Sequence, residues 1–178
     1  MTVADIQKDF PNWPDAVIDP WLIEFANDPG MGWPPPEPYG NHRWGRLLGQ
    51  RPLSWWQNVT WALEKTDCGL SELTPKARAD VLDIRKEISG GAPSASTKRR
   101  WDNIFRYMLN TGTFPATPLV MRRPEGLSLI DGAHRFAVFS ALQSTPKDKF
   151  ASLKVEKPSL EQEVWTGIHK DGELPNAE

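Results

Sequence analysis

Apolar residues recur at helical spacing through much of the first 112 residues. Where such a stripe follows a capping residue or a first-turn proline, the pattern predicts a helix. Four helices are predicted in this way, over residues 20–26, 55–65, 75–89 and 98–110. The proline- and aspartate-rich stretch 1–18 is expected to be an irregular arm. The stacked prolines of 33–40 predict an extended connector.

The spacing of apolar residues changes after Thr113 and becomes typical of strands. Residues 118–123 and 127–130 are rich in β-forming side chains and flank a short loop with a glycine, which predicts a β-hairpin. The pattern then predicts a helix, a strand and a last helix, over residues 134–142, 150–157 and 160–168. The chain after Lys170 is expected to fray.

These elements predict an α+β fold, in which a helical N-terminal half packs on a small mixed sheet. The composition shifts at a small, polar linker around residues 92–96. The predicted division is therefore a helical region rich in tryptophan and proline over 1–95 and a compact core over 96–178.

Composition narrows the classes of function. The chain has 178 residues, a net charge of −2 and one cysteine, Cys68. A single cysteine excludes an intramolecular disulfide, and the near-neutral charge argues against a nucleic-acid partner. The sequence contains neither a signal peptide nor an apolar run long enough to span a membrane. A cytoplasmic location without membrane partners is therefore expected.

The chain contains nine tryptophans, eight of them at or before Trp101. Because tryptophan combines a large apolar area with a polar N–H group, we expect these residues to build the core of the N-terminal half. The alternative is an aromatic wall for a ligand, or a surface that docks a protein partner.

The chemistry-bearing segment is Asp131-Gly132-Ala133-His134-Arg135, which lies between a predicted strand and a predicted helix. The first N–H groups of a helix lack partners within the helix, and its dipole favours anions there. Gly132 would allow close approach to a ligand, and backbone N–H groups from Gly132 to His134 would hold phosphates. An exposed Arg135 would neutralise their charge, and Asp131 would hold Mg²⁺ or orient His134.

This segment resembles the Gly-x-His-Arg turn of the ParB/sulfiredoxin superfamily, and most closely the Asp-Gly-x-His-Arg variant of its free-serine kinases. The resemblance covers about residues 113–157. It implies a compact mixed-sheet core that binds ATP or ADP with Mg²⁺, and a small-molecule kinase or nucleotide hydrolase. Asp131, His134 and Arg135 would be its catalytic residues, Asp131 its metal ligand, and Gly132 to Arg135 its nucleotide-binding residues.

The departures from the superfamily patterns exclude some activities. Ala133 stands where sulfiredoxin carries its cysteine, so no thiolate nucleophile is expected at the turn. Ala133 and His134 also replace the Glu-Arg of the partition proteins, which argues against a CTP-gated DNA clamp. A kinase needs a base for the acceptor hydroxyl. The family places a glutamate upstream, and four residues are open for that role: Glu37, Glu64, Glu72 and Glu87.

Two further interpretations stay open. Asp131 and Gly132 could form a plain turn and helix cap, or the site could bind nucleotide without turnover in a sensing or protein-interaction module. A ParB-like DNA-binding or nuclease function is the least favoured. The basic run Lys98-Arg99-Arg100 is a candidate for an added phosphate contact, whereas the second Gly-x-His-Arg sequence at 40–44 is interpreted as a coincidence.

Overall fold

The computed structural model describes residues 1–175. Nine α-helical segments occur within that range: α1 Val3–Ile6, α2 Asp15–Ile18, α3 Glu24–Ala26, α4 Arg43–Leu47, α5 Leu53–Trp56, α6 Pro75–Ser89, α7 Ala95–Thr111, α8 Ala133–Ser144 and α9 Lys147–Leu153. A π-helical turn over Asp19–Ile23 joins α2 to α3, and a 3-10 turn covers Leu70–Glu72. The strands are β1 Val59–Asp67, β2 Leu119–Arg123, β3 Gly126–Asp131 and β4 Glu161–His169.

The four strands form one mixed sheet in the order β1-β4-β2-β3. The predicted hairpin is confirmed, because β2 and β3 pair antiparallel from Arg123 opposite Gly126 to Leu119 opposite Asp131. An α+β fold with a helical region and a small mixed sheet is therefore confirmed.

Helix α6 covers the predicted residues 75–89, whereas α7 begins at Ala95, three residues before its predicted start, because Ser94 in the predicted linker caps it. The Thr74 hydroxyl accepts the Ala77 N–H at the start of α6, and the Ser94 hydroxyl accepts the Thr97 N–H at the start of α7. Gly112 ends α7 in the left-handed conformation, with φ of 73°. The Thr74 and Ser94 hydroxyls thus satisfy backbone N–H groups that have no partner within the helix.

The prediction of a helix over 55–65 is wrong beyond Trp56. Residues from Val59 onward form β1, whose β-branched and aromatic side chains suit a pleated strand. The predicted last helix is wrong as well, because residues 161–169 form β4. Gln162, Val164 and Thr166 are buried at alternate positions along β4. Two of these inward-facing residues are polar, so apolar spacing alone concealed the strand period.

The predicted strand over 150–157 is also wrong at its start, where α9 runs from Lys147 to Leu153. Phe150 is buried, whereas Leu153, at the end of this helix, is 59% exposed. The arm predicted over 1–18 contains α1 and α2, and α1 begins in a capping box between Thr2 and Asp5. Residues 33–40 contain no helix or strand, as predicted.

The chain divides into two compact units, which differ from the predicted division between residues 95 and 96. Unit 1 comprises 1–62 and 165–178, and unit 2 comprises 63–164. The predicted division places α6 in the N-terminal region, but α6 packs on α8 and so belongs with the C-terminal core. The core of unit 2 includes Leu73, Val81, Met108, Phe136 and Phe139.

The tryptophans of unit 1 form its core, as expected. Five are buried: Trp13, Trp21, Trp44, Trp55 and Trp56. Their rings pack on one another, for example Trp13 stacked on Trp21 with 5.8 Å between ring centroids. A surface for a protein partner stays a prediction.

Within residues 1–175 no helix has both the length and the apolarity that crossing a membrane requires.

Of the tail after Lys170, residues 171–175 are held within unit 1. The Arg51 guanidinium donates to the Leu174 carbonyl at 2.8 Å, and the Trp55 indole donates to the Glu173 carboxylate at 2.8 Å. These bonds contradict the expectation of a frayed tail as far as residue 175. The part of the prediction that concerns 176–178 lies outside the described residues.

Candidate functional site

The Asp131–Arg135 segment forms a strand–turn–helix junction within unit 2. Strand β3 ends at Asp131, Gly132 makes the turn with φ of 111° and ψ of 14°, and α8 begins at Ala133. The Gly132 carbonyl accepts the Phe136 N–H at 3.0 Å, which closes the first helical turn. Within residues 1–175 no side chain caps the N-terminus of α8. The helix therefore presents its first backbone N–H groups without a side-chain acceptor.

Gly132 is required at the turn for two reasons. Its positive φ is a conformation that residues with a Cβ atom rarely adopt. A Cβ atom at this position would also lie 3.0 Å from Pro118 Cβ and 3.0 Å from Arg135 Nε. The Arg135 side chain therefore folds back over the bare face of Gly132, and the turn and the arginine are packed together.

Arg135 is buried, with 9% of its surface exposed, rather than exposed as predicted. Its Nη2 group forms an ion pair with the Asp131 carboxylate, and its Nη1 group donates to the Ala116 carbonyl at 3.2 Å. These contacts join the end of β3, the loop before β2 and the first turn of α8. The guanidinium thus stabilises the fold of the turn instead of standing free for a ligand.

His134 is half-buried, next to the start of α8. Burial lowers the pKa of its imidazole, the positive charge of Arg100 lowers it further, and the charges of Glu87 and Asp131 oppose the shift. A lowered pKa favours the neutral imidazole near pH 7. The charge of Arg100, in the second turn of α7, therefore acts on His134.

The basic run predicted as an added phosphate contact therefore contributes at least Arg100 to this region. Unit 2 carries 16 Lys and Arg residues against 13 Asp and Glu residues over 63–164, a net charge of +3, although the whole chain is at −2. The helix N-terminus, Arg100 and the net charge of the unit all favour an anion here.

Asp131 is the acidic side chain within the predicted site. Among residues 1–175, no group of three or more His, Cys, Asp and Glu side chains could hold a metal ion. One oxygen of Asp131 already accepts from Arg135. Since protein-bound Mg²⁺ takes one or two carboxylates and completes its shell with water and phosphate oxygens, Asp131 fits Mg²⁺ only as one ligand of a nucleotide-bound ion.

The four glutamates that the sequence leaves open for the role of catalytic base have different surroundings in the structure. Glu87, near the end of α6, acts electrostatically on His134. Glu64 pairs with Arg122 at 2.7 Å, and Glu37 accepts the Leu53 N–H at 2.7 Å within unit 1. Glu72 lies in the 3-10 turn before α6. Of these four, Glu87 is the glutamate whose charge acts on His134, which no sequence spacing could indicate.

Sequence reasoning missed Ala116 and Pro118 as parts of the site. They contribute a carbonyl oxygen and a packing surface, and neither carries a chemical signature in the sequence.

The second Gly-x-His-Arg sequence, at residues 40–44, makes local contacts in unit 1, in keeping with its interpretation as a coincidence. His42 Nδ1 accepts the Trp44 N–H at 3.3 Å, and Arg43 pairs with Asp28 at 2.7 Å.

Cys68 follows β1 and is 2% exposed. Burial and the charge of Asp67 raise the pKa of its thiol to about 12. A thiol in this state is not a nucleophile near neutral pH. The expectation that no thiolate serves the turn therefore agrees with the environment of the one cysteine in the chain.

Comparisons with protein families, with curated proteins and with solved structures find no match to this chain.

Proposed function

We propose that unit 2 binds the phosphate groups of ATP or ADP at the N-terminus of α8 and acts as a phosphotransferase or nucleotide hydrolase on a small molecule. The observation that carries this proposal is the junction of β3, Gly132 and an α8 whose first turn has no side-chain cap among residues 1–175, with Arg100 acting on His134 beside it. Backbone N–H groups at a helix start, together with a nearby cation, suit a phosphate group.

In this proposal each residue of the turn has a separate role. The N–H groups of Gly132, Ala133 and His134 hold phosphate oxygens, and Arg100 supplies positive charge. A bound phosphate also favours the protonated imidazole, so His134 gains a proton and donates to a phosphate oxygen. Arg135 is a positioning residue, because its contacts with Asp131 and Ala116 fix the turn.

The phosphoryl-transfer step would rely on positioning and on neutralisation of charge more than on covalent chemistry. Mg²⁺, when bound with the nucleotide, would neutralise phosphate charge, with Asp131 as its protein ligand. Glu87 would take the proton from the acceptor hydroxyl, since it is the glutamate whose charge reaches His134. The cytoplasmic location expected from the sequence stays a prediction.

A second candidate is a nucleotide sensor that binds without turnover. The engagement of Arg135 in the fold favours it, because a guanidinium held by Asp131 and Ala116 is not free to follow charge that develops on a transferred phosphoryl group. Both candidates use the same binding site and differ in turnover alone.

Thermal unfolding of the full chain against a panel of nucleoside di- and triphosphates with Mg²⁺ tests the shared binding site. The variant Ala133→Asp places a carboxylate at the first position of α8. That carboxylate favours the helix by about 0.3–1 kcal/mol while it repels a bound phosphate. We expect a nucleotide at about 100 times its dissociation constant to stabilise the wild type by about 2.7 kcal/mol and to have little effect on Ala133→Asp.

Ala133→Ser is the matched control, because it alters the same side chain without adding charge, and it should keep the nucleotide response. Equal stabilisation of the wild type and Ala133→Asp would place nucleotide elsewhere and overturn the proposal. Phosphate release, or transfer to hydroxyl acceptors, by the responding proteins then separates the enzyme from the sensor.

A further inference from the structure

Unit 2 contains a second candidate binding site, a cavity of about 310 Å³. One wall consists of residues 67–71, which run from the end of β1 into the 3-10 turn. Another wall is the C-terminal half of α8. Phe139, Ser140, Gln143 and Ser144 supply that helical surface. The volume suits a small molecule, since ligand pockets begin at about 300 Å³.

One charged side chain that lines this cavity, and another that lies behind its α8 wall, have no ion-pair partner among residues 1–175. Asp67 lines the cavity, and one of its oxygens accepts the Gly69 N–H at 2.7 Å. Arg85 projects from α6 to the α8 wall, where its Nη1 lies 3.4 Å from Ser140 Oγ and 3.3 Å from Ser144 Oγ. In the described chain neither residue has an opposite charge within 4.0 Å, whereas the ion pairs of unit 2 lie elsewhere.

The remaining lining combines hydroxyl and amide groups with an apolar floor. Ser71 carries a hydroxyl that can donate or accept, and Gln143 carries an amide that does both. The hydroxyls of Ser140 and Ser144 already donate to the carbonyls of Ala137 and Ser140, so they can only accept from a ligand. Phe139 and Cys68 lie beneath them, both buried. A complementary ligand must therefore offer donors to Asp67 and the two serine oxygens of α8, an acceptor to Gln143 and an apolar face to Phe139.

We infer that this cavity binds a small polyhydroxylated molecule of about monosaccharide size. A hydroxyl group donates to a carboxylate or a serine oxygen and accepts from an amide N–H without carrying charge, so one functional group satisfies both walls of the cavity. Asp67 and Ser144 are exposed, so water screens ionic attraction there, and directional hydrogen bonds matter more than ligand charge. The C–H face of a sugar ring suits the apolar floor.

This cavity is separate from the proposed phosphate site. Ser140 is seven residues beyond Ala133 along α8, which corresponds to about 10 Å at a rise of 1.5 Å per residue. Phosphoryl transfer requires reacting atoms about 3–3.5 Å apart. The polyol site is therefore not the acceptor site of the proposed reaction, and it does not depend on that reaction.

Amide ¹H–¹⁵N spectra of the full chain, titrated with D-ribose, D-glucose and glycine betaine, test the inference. We expect ribose or glucose to shift the amides of Gly69, Ser71, Ser140 and Ser144 in a saturable way. Asp67→Asn should weaken that response about tenfold or more, the loss of roughly one charge-assisted hydrogen bond. Arg85→Gln removes the donor that orients the Ser140 and Ser144 hydroxyls and should weaken the response by a smaller factor. Asp67→Asn retains an oxygen that can accept the Gly69 N–H.

Lys86→Gln is the matched control, because it removes a charge from the exposed neighbour of Arg85 on the same helix, and it should titrate like the wild type. Binding of betaine in preference to both sugars would overturn the assignment of hydroxyl groups. The absence of saturable shifts at these four amides with all three compounds would overturn the site itself.

Discussion

At the scale of single residues, Arg135 departs most from what the sequence predicts. An arginine in the first turn of a helix after an Asp-Gly pair suggests an exposed ligand contact, whereas this one is buried against Gly132 and paired with Asp131. Whether a guanidinium faces outward or folds back depends on its neighbours in space. Here those neighbours are Ala116 and Pro118, which the sequence gives no reason to single out.

Arg135→Ala should therefore destabilise unit 2 by about 2–3 kcal/mol. The variant leaves the Asp131 carboxylate and the Ala116 carbonyl without their donors in a partly buried place. Urea unfolding measures the change. Arg106→Ala, at an exposed position of α7, is the control and should change stability by less than about 0.5 kcal/mol. If Arg135→Ala loses no more stability than Arg106→Ala relative to the wild type, Arg135 does not stabilise the turn.

At the scale of elements, local signals predict the segments that they determine. Thr74 fixes the start of α6, Gly112 fixes the end of α7, and the loop around Gly126 fixes the hairpin. Ser94, in the predicted linker, starts α7 earlier than its apolar stripe indicates. The strand–turn–helix order around Gly132 is also predicted correctly. β1 and β4 are not, because their strand character comes from neighbours in the sheet that lie from about 40 to about 100 residues away in sequence. Polar residues such as Gln162 and Thr166 point inward in β4 and hide its period.

Glu163 tests the assignment of β4, since its side chain is exposed and the strand lies between β1 and β2. Glu163→Thr should be more stable than Glu163→Ala by up to about 1 kcal/mol, because β-branched residues suit a strand. In a helix the order would reverse by about 0.5 kcal/mol, since alanine is the better helix former. Denaturant unfolding of the two variants decides between the two structures.

At the scale of the whole molecule, composition describes an average that neither unit shares. The net charge of −2 conceals that unit 2 alone is at +3 and contains the start of α8, which no side chain among residues 1–175 caps. The tryptophans contribute chiefly to the core of unit 1, while unit 2 packs aliphatic residues and phenylalanines. The boundary predicted at the 92–96 linker misses this division, because the linker connects α6 and α7 inside one unit.

The central claim is that nucleotide phosphates bind the first turn of α8. The most direct measurement is the change in amide ¹H–¹⁵N chemical shifts of the full chain on addition of ADP with Mg²⁺, and of inorganic phosphate. We predict that Gly132, Ala133 and His134 show the largest shifts, because their N–H groups would hold the phosphates, and that Ala133→Asp abolishes them. Unchanged amides at these three positions in the presence of saturating ADP and Mg²⁺ would contradict the claim.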